Sequence, residues 1–120
     1  MTIERLQTYL REMEQAAREI GEFLDGMTHE TFLIDIVKQR AVGMNLLIIG
    51  EASMRLADEF PEFADDHPDI PWAKIRGMRN RIAHGYLSIN LDTLWSTSRT
   101  AIPDLIASLD ALRHWRAQGE

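Results

Sequence analysis

The most apolar part of the sequence is AVGMNLLII, residues 41–49. Seven of its nine residues are apolar, yet it has less than half the roughly 20 residues that cross a bilayer. It therefore predicts a buried helix, which the flanking apolar residues extend from near Thr28 to Phe60. Gly43 would let a neighbouring segment approach closely. Because this helix is apolar nearly all round, we expect it at the centre of a bundle, with Met44 in the core.

Three further segments repeat apolar residues at alternating three- and four-residue spacing, which is typical of a helix with one buried face. They span about residues 3–25, 72–85 and 91–112. Residues suited to helix ends flank them: Thr2, Gly26, Pro71 and Asn90. Pro103 should kink the last helix, and PEFADDHPDIP, residues 61–71, predicts a connecting loop. We therefore predict one all-α domain over residues 1–120, an antiparallel bundle of four to five helices.

The composition excludes several classes of function. The chain has no cysteine, which removes disulfide scaffolds, thiolate zinc sites and cysteine nucleophiles, and no pair of histidines has metal-ligand spacing. We therefore expect no metal and no cofactor. The N-terminus has no continuous apolar segment, so we expect no signal peptide or membrane anchor and place the protein in the cytoplasm. A formal net charge of −6 argues against nucleic-acid binding by the whole surface, but it leaves room for a local basic patch.

Such a patch lies between Trp72 and Tyr86. This segment contains no acidic residue, and it carries four basic side chains: Lys74, Arg76, Arg79 and Arg81. Six acids crowd residues 58–69 just upstream. Guanidinium groups offer paired donors to phosphate oxygens, so the segment is a candidate phosphate-binding helix. Cations near a helix C-terminus can also simply complement the helix dipole, and charge alone leaves both interpretations open.

Within the patch, Arg76, Asn80 and His84 form one polar stripe at i, i+4 spacing, with Arg79 beside them. Histidine can exchange protons near neutral pH, arginine can hold a phosphate, and asparagine can orient either group. These are the parts of metal-free phosphodiester chemistry. One histidine is a single acid–base group, whereas RNA cleavage through the 2′-hydroxyl uses a base and an acid. A second copy in a symmetric dimer would complete the set, although His84 could instead cap a carbonyl beside Gly85.

The pattern Arg-x4-His-x-Tyr is matched at Arg79, His84 and Tyr86, and Ile-Gly-Glu-Ala precedes it at residues 49–52. Together with the chain length and the order of helices, this pattern resembles the HepT family of toxins in the HEPN superfamily. The resemblance covers essentially the whole chain. It implies the toxin of a type II toxin–antitoxin pair, a metal-independent endoribonuclease that cuts RNA such as tRNA or mRNA. In that family, two Arg-x4-His motifs face each other across a homodimer interface.

The resemblance also implies roles for the residues of the stripe. His84 would be the acid–base group, Arg79 would bind the scissile phosphate, and Asn80 would position His84 or the phosphate. Three further cations are candidates for RNA and phosphate contacts: Lys74, Arg76 and Arg81. Glu51 is an acid on an otherwise apolar helix, and buried carboxylates usually have a partner. It could orient Arg79 or Arg76, or form a helix-spanning ion pair with Arg55.

Tyr86 would be the site of regulation. The family's partner is an MntA-like nucleotidyltransferase antitoxin, which adds AMP units to the motif tyrosine. A bulky negative group beside His84 would block RNA and compete for Arg79. The alternative is that Tyr86 is an amphipathic ring packed at the helix end with its hydroxyl exposed.

Two other classes of function stay open at this point. One is a non-catalytic HEPN subunit that serves a nucleotidyltransferase as an RNA- or nucleotide-binding platform, because residues that hold a phosphate for cleavage can also hold it for binding. The other is a purely structural helical interaction protein.

Overall fold

The computed structural model of the protein describes residues 2–112 and contains seven α-helices within them. These are α1 (Ile3–Phe23), α2 (His29–Leu33), α3 (Ile36–Glu59), α4 (Pro61–Asp66), α5 (Trp72–Gly85), α6 (Leu91–Ser96) and α7 (Ile102–Asp110). A 3₁₀ turn, Tyr86–Ser88, follows α5, and a π-helical turn, Thr97–Ala101, joins α6 to α7. The described residues form no strand, so the all-α prediction is confirmed. None of these helices is long and apolar enough to cross a membrane.

Helix α3 lies at the centre, with α1 and α5 packed against it and α7 against α1. Five residues of the predicted stripe are buried on α1, namely Leu6, Leu10, Met13, Ala17 and Ile20, and Tyr9 and Ala16 are buried beside them. Thr2 caps the helix by accepting a hydrogen bond from the backbone N–H of Arg5. Gly26 has a φ of 74°, the left-handed conformation that favours glycine after a helix end. The periodicity of α1 therefore predicted its buried face, and the flanking residues predicted its start at Ile3 and placed its end two residues beyond Phe23.

The central helix is shorter than predicted. The sequence predicts one helix from Thr28 to Phe60, whereas the chain forms the short α2, capped by Thr28, and then starts again at α3. Asp35 begins the new helix by accepting a hydrogen bond from the backbone N–H of Lys38 at 3.0 Å. An aspartate can cap a helix wherever the chain turns into one, and apolar periodicity does not reveal that local choice.

One face of α3 is exposed, so the expectation that it is buried all round was wrong. Met44, predicted to be in the core, is 57% exposed, because α1 and α5 cover only part of the helix circumference. The exposed apolar side chains of this region are hereafter the apolar stripe: Ile34, Ile36, Val37, Met44, Ile48 and Leu87.

The region predicted as a loop, residues 61–71, contains α4. Pro61 lies in its first turn, where the missing N–H costs no hydrogen bond, and Phe63 is buried. The prolines that suggested a loop are therefore compatible with a one-turn helix held by an aromatic anchor.

The last predicted helix, residues 91–112, is interrupted. Asn90 caps α6 as predicted, accepting hydrogen bonds from the backbone N–H groups of Asp92 and Thr93. The π-helical turn ends two residues before Pro103, which cannot donate a backbone hydrogen bond to the preceding turn. α7 ends at Asp110.

Candidate active site

Helix α5 presents the predicted polar stripe on its surface: Arg76, Asn80 and His84 are all exposed. Met78 and Ile82 lie on the buried face of the same helix and hold it in the bundle. Arg79 is half-buried and lies on the side that faces α3. The helix therefore separates its arginine and its histidine onto two neighbouring faces.

Arg79 passes directly over Gly50 of α3. A Cβ atom added at Gly50 would overlap the Cβ of Arg79 and lie 2.6 Å from its Cγ. Only glycine leaves the space that this side chain occupies. Gly50 therefore fixes how closely α5 packs on α3 and where the Arg79 side chain runs.

The Arg79 guanidinium is held from two directions. Its Nε donates a hydrogen bond to Oε1 of Glu51 at 2.7 Å, and its Nη1 donates to Oδ1 of Asn80 at 3.0 Å. Of the partners that the sequence allowed for Glu51, the structure pairs it with Arg79. These bonds use two of the five N–H donors of a guanidinium, so three are left for an anionic ligand. An arginine fixed in this way is prepared for phosphate binding, because less side-chain freedom is lost when the ligand arrives.

His84 lines an open cleft of ≈ 540 Å³ between the end of α5 and the start of α6. The cleft is hereafter the His84 cleft, and it is lined by Asn80, Arg81, His84, Gly85, Ser88, Ile89, Asn90 and Thr93. The His84 imidazole makes no hydrogen bond or ion pair with any other residue of the described chain, so it does not cap a carbonyl there. The residue is exposed and lines the cleft, where its ring could meet a ligand.

Asn80 connects the two parts of the site. Its side chain accepts the hydrogen bond from Arg79, and the same residue lines the His84 cleft. Asn80 therefore links the fixed guanidinium on one face of α5 to the His84 imidazole on the neighbouring face.

Tyr86 follows His84 by two residues and packs against α3. Its hydroxyl donates a hydrogen bond to the carbonyl oxygen of Gln39 at 2.5 Å, and the Arg40 guanidinium lies 5.1 Å from the ring centroid. A Cβ at Gly43 would overlap the ring and lie 2.9 Å from its Cζ, so the close approach predicted at Gly43 is confirmed and is made by Tyr86. The hydroxyl is bonded rather than free, which differs from the exposed hydroxyl that the sequence left as an alternative.

The remaining cations of the basic patch differ in their pairing. Arg76 lies 3.4 Å from Oδ1 of Asp58, an exposed pair that contributes little to stability. Lys74 and Arg81 are exposed and form no ion pair with a carboxylate of the described residues. No group of three or more histidine, aspartate or glutamate residues within residues 2–112 could hold a metal ion.

Sequence reasoning missed the walls of the site. Ser88 and Thr93 line the His84 cleft, and the backbone of Gln39 binds Tyr86. Nothing in their spacing marks them, because a backbone carbonyl has no sequence signature and small hydroxyl residues near helix ends occur in every protein.

The part of the chain that contains the site matches a known protein family. Residues 13–112, which contain every residue of the site, match the family described as "Ribonuclease HepT-like", and the chain belongs to that family. It is 36% identical over 105 residues to the protein named "Probable ribonuclease HepT" from Thermococcus cleftensis, covering 88% of this chain and 93% of that protein. It is 37% identical over 97 residues to "Putative RNase TTE0752" from Caldanaerobacter subterraneus subsp. tengcongensis, covering 81% and 84%. No solved structure matches the chain significantly.

Proposed function

We propose that the protein is a metal-independent endoribonuclease, the toxin of a cytoplasmic toxin–antitoxin pair. The observation that supports this most strongly is the His84 imidazole, which has no partner among the described residues and lines a cleft beside Asn80, the residue that also binds the fixed guanidinium of Arg79. The basic, acid-free surface of α5 would attract an RNA backbone that the other, acidic parts of the protein repel.

In the proposed reaction, His84 takes the proton of a ribose 2′-hydroxyl, and the 2′-oxygen attacks the adjacent phosphorus. The bond from phosphorus to the 5′-oxygen breaks, and a second acid–base group protonates that oxygen. The products are a 2′,3′-cyclic phosphate and a 5′-hydroxyl end. Arg79 binds the phosphate with its free N–H donors and stabilises the charge that develops on it. Asn80 positions the guanidinium.

A second copy of the chain supplies the second histidine in this proposal. The apolar stripe is the surface that supports dimer formation, because its six exposed large apolar side chains, four of them on α3, are unusual for a surface in contact with water. Met44 and Ile48 lie on α3 within two turns of Glu51, and Leu87 directly follows Tyr86. A symmetric contact there would bring the two sites towards each other.

The dimer is tested by placing a charge in the apolar stripe. Met44→Glu should convert a dimer into a monomer in sedimentation analysis and abolish cleavage, since each cleft would then hold one histidine. Glu30→Gln, an exposed change outside the stripe, should leave the dimer intact. A monomeric wild-type protein that cleaves RNA would contradict the dimer.

We further propose that Tyr86 accepts AMP from a nucleotidyltransferase antitoxin. Transfer to the hydroxyl would add a bulky anion beside the Arg79 and His84 positions and compete with RNA phosphate. Because the hydroxyl is bonded to Gln39 and the ring fills the space over Gly43, the modified side chain would have to leave this place. Intact-mass measurement after co-expression with the partner should show added AMP units on wild-type protein and none on Tyr86→Phe.

Cleavage in EDTA tests the catalytic proposal. Purified protein free of its partner should cut RNA in EDTA, and His84→Ala should lower kcat by about 10²- to 10⁴-fold, the usual contribution of a general acid–base group. His29→Ala is the matched control, because His29 is an exposed histidine paired with Asp92 outside the His84 cleft. Unchanged cleavage by His84→Ala would contradict the assignment.

A binding subunit of a nucleotidyltransferase complex is the second candidate function. It is favoured by the single histidine that one chain offers in the His84 cleft. Tight RNA binding without cleavage in EDTA, weakened by Arg79→Ala, would support this function in place of the first.

A further inference from the structure

A second depression adjoins the His84 cleft, between α5 and the segment that runs from α6 to α7. It has a volume of ≈ 500 Å³, within the range of about 300–1,000 Å³ usual for ligand pockets. Leu46 and Ile49 of α3 lie at its base, α5 forms one wall, and the segment from α6 through the π-helical turn to α7 forms the other. We refer to it as the apolar groove; Ile75, Met78, Ile102 and Leu105 complete its apolar lining.

The apolar groove is continuous with the His84 cleft. Arg81 and Thr93 line both of them, so a ligand that fills one can extend into the other without leaving the protein surface. The groove has a cation at each end of its α5 wall, Lys74 and Arg81, and neither forms an ion pair within the described residues. An occupant should therefore combine a flat apolar body with negative charge at its edge.

Two threonines line this space, and their hydroxyls have no hydrogen-bond partner within residues 2–112. Thr93 and Thr97 line the apolar groove, both are half-buried, and neither side chain hydrogen-bonds to another described residue. A purely aliphatic occupant would leave these hydroxyls unpaired, which costs free energy in a dry contact. A ring that carries hydrogen-bonding groups on its edge would satisfy them.

We infer that the apolar groove is a nucleobase subsite, which binds an unstacked base of single-stranded RNA next to the scissile phosphate. The base lies against Met78 and the aliphatic residues of the groove, its edge meets Thr93 and Thr97, and Arg81 contacts the phosphate that leads to the His84 cleft. Unstacked bases are the part of RNA that proteins read in sequence-specific recognition. This inference rests on the proposed cleavage of RNA at His84, and it names a single-stranded substrate with a preference at one position.

The test compares RNAs that differ by one missing base. The cut in a mixed-sequence single-stranded RNA is mapped first, and each nucleotide beside it is then replaced by an abasic ribose. Wild-type protein should show a loss in kcat/KM of about tenfold or more at one flanking position, the scale of discrimination that an apolar pocket provides. Equal cleavage of all the abasic RNAs would overturn the subsite while leaving the proposed function intact.

Filling the groove locates the effect. A side chain at Gly77 starts in open space, since an added Cβ there meets nothing within 4 Å, so Gly77→Trp can enter the groove without disturbing the core. It should cut intact and abasic RNA at the same reduced rate, and Ala101→Trp from the opposite wall should do the same. Gly21→Trp is the matched control, because Gly21 is an equally open, exposed glycine on α1; it should keep the wild-type discrimination.

Two further outcomes are decisive. If both groove-filling variants keep the discrimination and instead weaken the complex with the antitoxin, the groove is a protein-docking site and the inference is wrong. If no RNA is cut in EDTA, the proposed function fails, and fluorescence anisotropy with the same short RNAs decides the subsite. A tenfold weaker binding of one abasic RNA, lost in Gly77→Trp, supports it, and equal binding of all RNAs overturns it.

Discussion

Helices α1 and α5 pack against the same central helix in different ways. α1 buries seven residues along one face, whereas α5 buries only Met78 and Ile82. α5 is held on α3 by its close contact at Gly50 and by the bond between Arg79 and Glu51, and the turn after it is held by the contact of Tyr86 with Gly43. Apolar burial gives α1 most of its stabilising free energy, about 25 cal/mol per Å². α1 and α3 therefore form the scaffold, and α5 is the helix whose side chains are available to a ligand.

The greatest loss of stability should come from a truncation in the scaffold of α1 and α3. Ile20 is fully buried on α1, so Ile20→Ala should lower the free energy of unfolding by about 2–5 kcal/mol, through lost burial and the cavity left behind. The matched truncation on α5, Ile82→Ala, should cost less, because fewer buried neighbours surround it. Urea denaturation of both variants measures the difference. A larger loss for Ile82→Ala would contradict the division between scaffold and site.

The next effect concerns the glycine contact beneath Arg79. Gly50→Ala forces a methyl group into the Arg79 side chain, and such overpacking costs about 1–3 kcal/mol. It should also displace the guanidinium from Glu51 and reduce RNA cleavage beyond what the loss of stability explains. Gly21→Ala is the control, because its added methyl group meets nothing within 4 Å. Equal stability and activity of the Gly50 and Gly21 variants would mean that the contact does not position Arg79.

The same contrast explains what could be predicted from the sequence. The one-sided stripe of α1 defined its helix and its buried face, and the spacing of Arg76, Asn80 and His84 placed them on the surface of α5. α3 was harder, because a helix that is apolar all round does not indicate which face its neighbours cover. Three features depend on how the helices pack together: the apolar stripe, the contact of Gly50 with Arg79, and the apolar groove. The periodicity of apolar residues in one helix does not reveal how that helix packs against its neighbours.

A smaller effect is the pH dependence of stability that comes from Glu59, at the end of α3 and outside the candidate site. The Tyr9 hydroxyl donates a hydrogen bond to Glu59 at 2.6 Å, and this bond, helped by the Arg5 charge, lowers the pKa of the Glu59 carboxyl below its ordinary 4.5. A lowered pKa stabilises the fold above the unfolded-state pKa, and the stabilisation is lost as the pH falls through the folded-state value. The urea midpoint of the wild type should therefore fall below about pH 4.5.

Two variants isolate this contribution. Glu59→Gln and Tyr9→Phe should both start with a lower midpoint at neutral pH and lose less of it on acidification, since the bonded carboxylate or its donor is gone. An acid-induced loss as large as that of the wild type in Glu59→Gln would assign the pH dependence to other carboxylates.

The smallest change in stability should come from a substitution on the exposed side of α5. Gly77 lies inside the helix on its exposed side, and a Cβ there has open space around it. Alanine restricts the unfolded chain and favours the helix, so Gly77→Ala should raise the free energy of unfolding by about 0.4–1 kcal/mol. Gly43→Ala adds the same methyl group to a helix, but at a place that the Tyr86 ring occupies, and should lower stability instead. Thermal unfolding should show a higher Tm for Gly77→Ala and a lower Tm for Gly43→Ala. This result would show that α5 and the turn after it depend on tight contact only where they meet α3. A destabilised Gly77→Ala would mean that the outer face of α5 is also packed, which its exposure in the structure argues against.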